Sequence, residues 1–217
     1  MRGGNMRQSA VTFKAKGLNF EGVISTPADA KGKLPGVVIC HPHPLHGGNM
    51  DNNVVLAVAF GLVEKGHAVL RFNFRGVGNS EGEHTRGEKE YEEALGALDF
   101  MKAWDQVDHN KLGICGYSFG TRVILASPEL QKLPKVFAFV SPSLEALEGS
   151  TLKKDKRPKF VITGNRDKLV GSEGLETMWD TFELKPDFKV IDGADHFWMG
   201  MEPKMAEPVS EFFTNNL

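Results

Sequence analysis

Hydrophobic and polar residues alternate along the start of the chain. In residues 10–16 (AVTFKAK) and 18–26 (LNFEGVIST) apolar side chains recur at every second position, the period of half-exposed hairpin strands. Residues 34–40 (LPGVVIC) are instead continuously apolar, as a strand covered on both faces is. Residues 52–65 change period: Val54, Val55, Val58 and Leu62 share a helical face, and Gly66 follows as a C-terminal cap. The cycle then repeats. Residues 67–74 read as a strand and residues 86–104 as a helix with Tyr91, Ala94, Leu95, Leu98 and Met101 on one face. Further strands are predicted at 111–117, 136–142, 159–164 and 187–193, and further helices at 119–131, 172–184 and 203–215.

Strands alternating with helices imply an α/β protein with a mostly parallel sheet covered on both faces. The first two strands are expected to form an antiparallel edge. At 217 residues, with no repeat or linker, one domain spanning residues 1–217 is expected.

Composition narrows the functional classes. The formal net charge is -2, and Asp155 interrupts the densest basic stretch (Lys153, Lys154, Lys156, Arg157), which argues against a nucleic-acid footprint. The opening MRGGNMRQ lacks the apolar core of a secretory signal, and Met6 is an alternative start. No stretch has the apolar length of a membrane span. Cys40 and Cys115 lie in apolar strands and read as reduced core residues. A cytoplasmic protein is expected, with no pattern that sets an oligomeric state.

One short stretch carries chemistry. In GICGYSFG (113–120), Ser118 stands between a strand and a helix and is flanked by Gly116 and Gly120. A G-x-S-x-G turn lifts a serine hydroxyl clear of the sheet, and its glycines leave room for the backbones pressed against it. The amide of Phe119, at a helix N-terminus, is placed to stabilise an oxyanion. A serine needs a base, and among seven histidines His196, in GADHFW after the last strand, suits that role. Asp167, in VITGNRD at a strand end, is the candidate acid; Asp195 is too close in sequence to His196 to face its ring. The second oxyanion donor is expected in CHPHPLHGGNMDN (40–52). Pro42 and Pro44 lack an N–H, whereas His43 and the residues around it have one, and of these the amide of His43 is taken as the candidate. His41, His43 and His46 also have an H-x-H-x-x-H spacing that suggests a competing zinc site. The aspartate usual in that motif is replaced by Leu45, and zinc would leave the other three motifs unexplained.

With serine, acid and histidine in this order, the chain resembles the α/β-hydrolase superfamily. HPHPLHGGNMDN, RFNFRGVGNSEGE, GYSFG, GNRD and GADHFW together are similar to a branch of small bacterial serine hydrolases, distantly similar to dienelactone hydrolases and carboxylesterases. Dienelactone hydrolases typically use cysteine where this chain has Ser118. The resemblance implies an α/β-hydrolase fold, ester hydrolysis by Ser118, His196 and Asp167, and no metal or organic cofactor. Arg75, Gly76, Ser80 and Gly82 are expected to brace loops near the catalytic face.

Only residues 143–158 separate two strands where larger relatives carry a lid, so a minimal lid with one short helix at 143–149 is expected. The open site would be rimmed by Leu45, Tyr117, Phe119, Phe197 and Trp198 and would take a small-molecule ester with a small or flexible acyl group. A thioesterase, an amidase and a non-catalytic binding module on the same fold are the alternatives.

Overall fold

The computed structural model describes residues 6–170 and 174–217. Its centre is one eight-stranded sheet of order β1-β2-β4-β3-β5-β6-β7-β8. Strands β1 (Met6–Ala15) and β2 (Leu18–Pro27) form the antiparallel hairpin, and β2 pairs antiparallel with β4 (Ala68–Phe72). From β4 onward every pairing is parallel, through β3 (Leu34–Cys40), β5 (Val107–Tyr117), β6 (Val136–Val140), β7 (Lys159–Gly164) and β8 (Asp187–Ile191).

The continuous apolar runs are explained by two cores, one on each face. Along β3, Val37 and Ile39 point into the layer of α1 (Asn53–Glu64) and α6 (Glu202–Asn216), where Val54, Val58, Leu62 and Phe213 meet them. Val38 and Cys40 point the other way, toward α2 (Tyr91–Ala103) and α3 (Phe119–Ala126), against Leu98, Met101 and Val123. With a side-chain period of two, only a strand covered on both faces needs apolar residues at every position.

Three predicted helices are shorter than their hydrophobic pattern suggests. Residues 119–131 were expected to be one helix, but α3 ends at Ala126. Pro128 lacks an N–H and disfavours helical geometry at Ser127, while Gln131 turns back from a 3-10 turn (Leu130–Lys132) to donate to the carbonyls of Ile124 and Leu125. The 86–104 helix begins only at Tyr91, because the Glu90 carboxylate gathers donors from Thr85 and Gly87 and holds that segment as a turn. The 172–184 helix reduces to α5 (Leu175–Met178) and a 3-10 turn (Trp179–Thr181); its first two positions lie outside the described residues.

Between β6 and β7 the chain carries α4 (Leu144–Glu148), capped by the Ser143 hydroxyl, and a 3-10 turn (Thr151–Lys154). Among the described residues no helix is long and apolar enough to cross a membrane.

Candidate active site

The C-terminal ends of β3, β5, β7 and β8 converge on one edge of the sheet. At the end of β5, Ser118 adopts φ 51° and ψ -111°, a conformation that L-residues seldom adopt and that the surrounding structure must hold. Its amide donates to the Val140 carbonyl on β6, and its carbonyl accepts from the amides of Thr121 and Arg122 in α3. The two flanking glycines are required sterically. A Cβ at Gly120 would lie 2.2 Å from the Cys40 carbonyl oxygen, and one at Gly116 would lie 2.7 Å from the Gly120 carbonyl carbon.

His196 follows β8 and Asp167 follows β7. His196 Nε2 is 2.9 Å from Ser118 Oγ, and its Nδ1 is 2.8 Å from Asp167 Oδ2. The other carboxylate oxygen of Asp167 accepts from the amides of Leu169 and Val170, both at 3.0 Å. Burial pushes the Asp167 carboxyl up, but the hydrogen bond to His196, the charge of His196, the Val170 amide and the Ser141 hydroxyl outweigh it and hold Asp167 below its ordinary range. An ionised Asp167 can only accept, so Nδ1 carries the imidazole proton and Nε2 presents its lone pair to the serine hydroxyl. Such a chain can take a proton from Ser118 and return it to a leaving group.

The histidine loop is fixed from behind. Tyr117 donates its hydroxyl to the His196 carbonyl at 2.7 Å, and Asp195 accepts from the amides of Phe197 and Trp198. Asp195 therefore closes a turn, whereas Asp167 faces the ring.

The loop after β3 lies alongside. His41 is buried; its Nδ1–H donates to the Pro42 carbonyl at 2.7 Å, and its Nε2 accepts from the Phe74 amide at 3.0 Å. Burial, with a smaller push from His84, brings its pKa down to about 4. Both ring nitrogens are thus engaged in holding the loop, and His43 Nδ1 accepts from the Leu45 amide. Among the described residues no three His, Cys, Asp or Glu side chains converge as a metal-ligand set. The His43 ring rests on the Phe119 ring with centroids 4.9 Å apart, so the side chains of the two residues whose amides are the oxyanion candidates pack together. Within the described residues the backbone amides of His43 and Phe119 donate to no protein acceptor.

A cavity of about 920 Å³ opens over Ser118. The predicted rim needs correction. Phe197, 59% exposed, lines it, and Phe119 lines its inner wall. Trp198 does not: at φ 60° its side chain turns inward, is 0% exposed, and donates Nε1–H to Ser141 Oγ at 3.2 Å. Tyr117 is buried, its hydroxyl committed to the His196 carbonyl, so it forms wall and not rim. Leu45 is 66% exposed but lies outside the cavity lining.

Sequence reasoning missed the far wall, formed by Arg122, Leu125 and Ala126 on α3 facing Glu145 and Ala146 on α4. The signal was present: these α3 positions lie four, seven and eight residues beyond Ser118, on one helical face. Arg122 is the one Lys or Arg among the described lining residues. Arg75 braces the site at a distance. It is buried, with its guanidinium bound to both Glu93 oxygens and to Glu92.

A strand–turn–helix serine, a following acid and a late histidine on a mostly parallel sheet define the α/β-hydrolase class, and residues 37–207 match the alpha/beta hydrolase domain family. The chain belongs to that family. It is similar to an alpha-beta serine hydrolase homologue from Coxiella burnetii, at 30% identity and TM-score 0.82, covering 94% of this chain and 96% of that one. A serine hydrolase without lid from Xanthomonas campestris aligns at 26% identity and TM-score 0.84, covering 96% and 94%. An uncharacterized protein of Rickettsia prowazekii is 31% identical over 190 residues, 82% of this chain and 78% of its own.

Proposed function

We propose that this protein is a serine esterase that cleaves carboxylic esters of small or flexible acyl groups through an acyl-enzyme. The observation that carries the reading is the continuous chain from Ser118 Oγ through His196 to Asp167, at 2.9 and 2.8 Å. The serine hydrolase relatives from Coxiella and Xanthomonas support it.

Ser118 Oγ attacks the carbonyl carbon while His196 Nε2 takes its proton, and Asp167 stabilises the imidazolium that results. The amides of Phe119 and His43 hold the oxyanion. His196 then protonates the departing alcohol, and water repeats the sequence to release the acid. The cavity between α3 and α4 receives the acyl chain, with Phe197 at its mouth. Every step uses side chains and amides of this chain.

The test is intact mass after incubation with a fluorophosphonate, with peptide mapping of the adduct. Stoichiometric labelling at Ser118, abolished in Ser118→Ala and unaffected by chelator, is expected. A folded sample that stays unlabelled would refute the reading. A panel of matched esters and thioesters then fixes the leaving atom, with the esters expected to turn over faster.

A further inference from the structure

One buried carboxylate close to the site has no part in that chemistry. Glu90 is 0% exposed. It accepts from the Thr85 amide at 2.7 Å, the Thr85 hydroxyl at 2.6 Å and the Gly87 amide at 2.8 Å. Burial pushes its pKa up, but these bonds outweigh it and keep Glu90 anionic, below the ordinary range. His84 Nδ1 stands 2.8 Å from Glu90 Oε1, a close polar contact that lies outside hydrogen-bond alignment.

His84 is also one corner of a closed triangle of rings. Its centroid lies 5.1 Å from that of His43 and 5.4 Å from that of Phe119, and those two lie 4.9 Å apart. The same loop presses on α3 again at Gly87, where a Cβ would sit 3.6 Å from the Phe119 ring. It is wound through positive φ at Arg86 (59°) and Gly87 (97°), a shape that needs an organising group, and Glu90 is the acceptor its donors share.

We propose that the Glu90–His84 pair is the positioning device of the oxyanion hole. This rests on the esterase reading above. Glu90 gathers residues 84–90 and tethers His84, and His84 sets where the rings of His43 and Phe119 lie. Those two residues carry the donor amides. An oxyanion hole is effective only when its donors are held to within a few tenths of an ångström of the developing charge. A purely apolar filler would pack equally well yet permit sliding, whereas a ring held to a buried, multiply bonded carboxylate does not slide. Neither Glu90 nor His84 lines the cavity, so neither is a catalytic residue.

The proposal predicts a transition-state defect without a binding defect. In His84→Ala, kcat for a p-nitrophenyl ester is expected to fall about tenfold, less than the ~100-fold or more seen on deleting an oxyanion donor outright. KM stays within about twofold, and affinity for a trifluoromethyl ketone analogue falls by the same factor as kcat/KM. His84→Phe, which refills the space without the polar contact to Glu90, is expected to leave most of the kcat loss in place, and full recovery of kcat would reduce His84 to a filler and overturn the proposal. A rise in KM alone, or an unchanged ketone affinity, would overturn the assignment.

A second readout needs no turnover. In a Ser118→Ala background, adding His84→Ala is expected to accelerate hydrogen exchange in peptides covering residues 43–48 and 119–122, with exchange elsewhere unchanged. Unaltered exchange there would refute the positioning role even if the protein were no esterase. Absence of fluorophosphonate labelling in the wild-type protein would instead refute the esterase reading and leave the exchange result to judge the tether.

Discussion

His67 lies on the α1 and α6 side of the sheet, far from Ser118, and makes a quantitative prediction about acid stability. It is 2% exposed, with Nε2 3.0 Å from Thr214 Oγ1. That hydroxyl donates to the Ser210 carbonyl at 2.8 Å, so it must accept from His67, and Nε2 carries the proton. Nδ1 is buried with no partner among the described residues. A second proton there would find no acceptor, and Lys111 lies near enough to repel it. Burial first, and Lys111 second, bring the His67 pKa down to about 4. The sign follows from linkage. The unfolded chain takes up a proton near pH ~6.5 while the native state refuses it until about pH 4, so His67 supports the fold above pH ~6.5 and progressively fails to do so below it. Between pH 7.5 and 5.5 the loss from this one group is about 1.3 kcal/mol, growing to about 3 kcal/mol near pH 4. The perturbation is His67→Gln, which keeps a donor for Thr214 and removes the titration. Urea unfolding followed by tryptophan fluorescence at pH 7.5 and 5.5 should show the variant losing about 1.3 kcal/mol less than the wild-type protein. Asp167, Glu90, Asp155 and Glu21 are held below the ordinary carboxylate range, while burial pushes Glu93 up; all of these groups are common to both proteins and cancel in the comparison. Equal losses in the two proteins would mean that His67 protonates freely in the native state, and the argument from burial would fail.

The site makes its own demands. Asp167→Asn preserves shape but lets the side-chain amide face the imidazole with the wrong tautomer, and kcat is expected to fall about 10⁴-fold with KM little changed, measured by steady-state ester hydrolysis. Gly120→Ala places a Cβ 2.2 Å from the Cys40 carbonyl oxygen, a backbone atom that cannot step aside. A destabilisation of about 3 kcal/mol or more is expected in urea unfolding, and a variant of wild-type stability would refute the steric reading of the elbow. Phe197→Ala and Trp198→Phe should separate rim from support. The first is expected to raise KM at unchanged stability. The second loses the bond to Ser141 and costs about 1 kcal/mol of stability, and the reverse pattern would overturn the reassignment of Trp198.

The sequence by itself determined the parts of this protein that depend on local chemistry and on period. Unbroken apolar runs such as 34–40 specify strands buried on both faces, because exposure of either face would not tolerate them. Gly116 and Gly120 announce the turn at Ser118, since only glycine survives backbone contacts that close. The order of Ser118, Asp167 and His196 pointed to the family, and the parallel sheet carries all three to one edge. What hydrophobicity could not decide is which way a buried side chain faces. Phe197 and Trp198 are adjacent and both apolar; the positive φ at Trp198 and a bond to Ser141, 57 residues away, put one in the core and leave the other at the cavity mouth. Helix ends were decided in the same way. Glu90 stands in a pattern that continues a helix, yet three local donors draw its carboxylate back and delay α2 until Tyr91. His84 reads in sequence as one more polar loop residue, and only the fold places its ring between Glu90 and the residues that bear the oxyanion amides. Local pattern reports how much of a residue is apolar and how often it recurs. Pairings between distant segments exist only once the chain has closed, and they chose the direction of each side chain at this site.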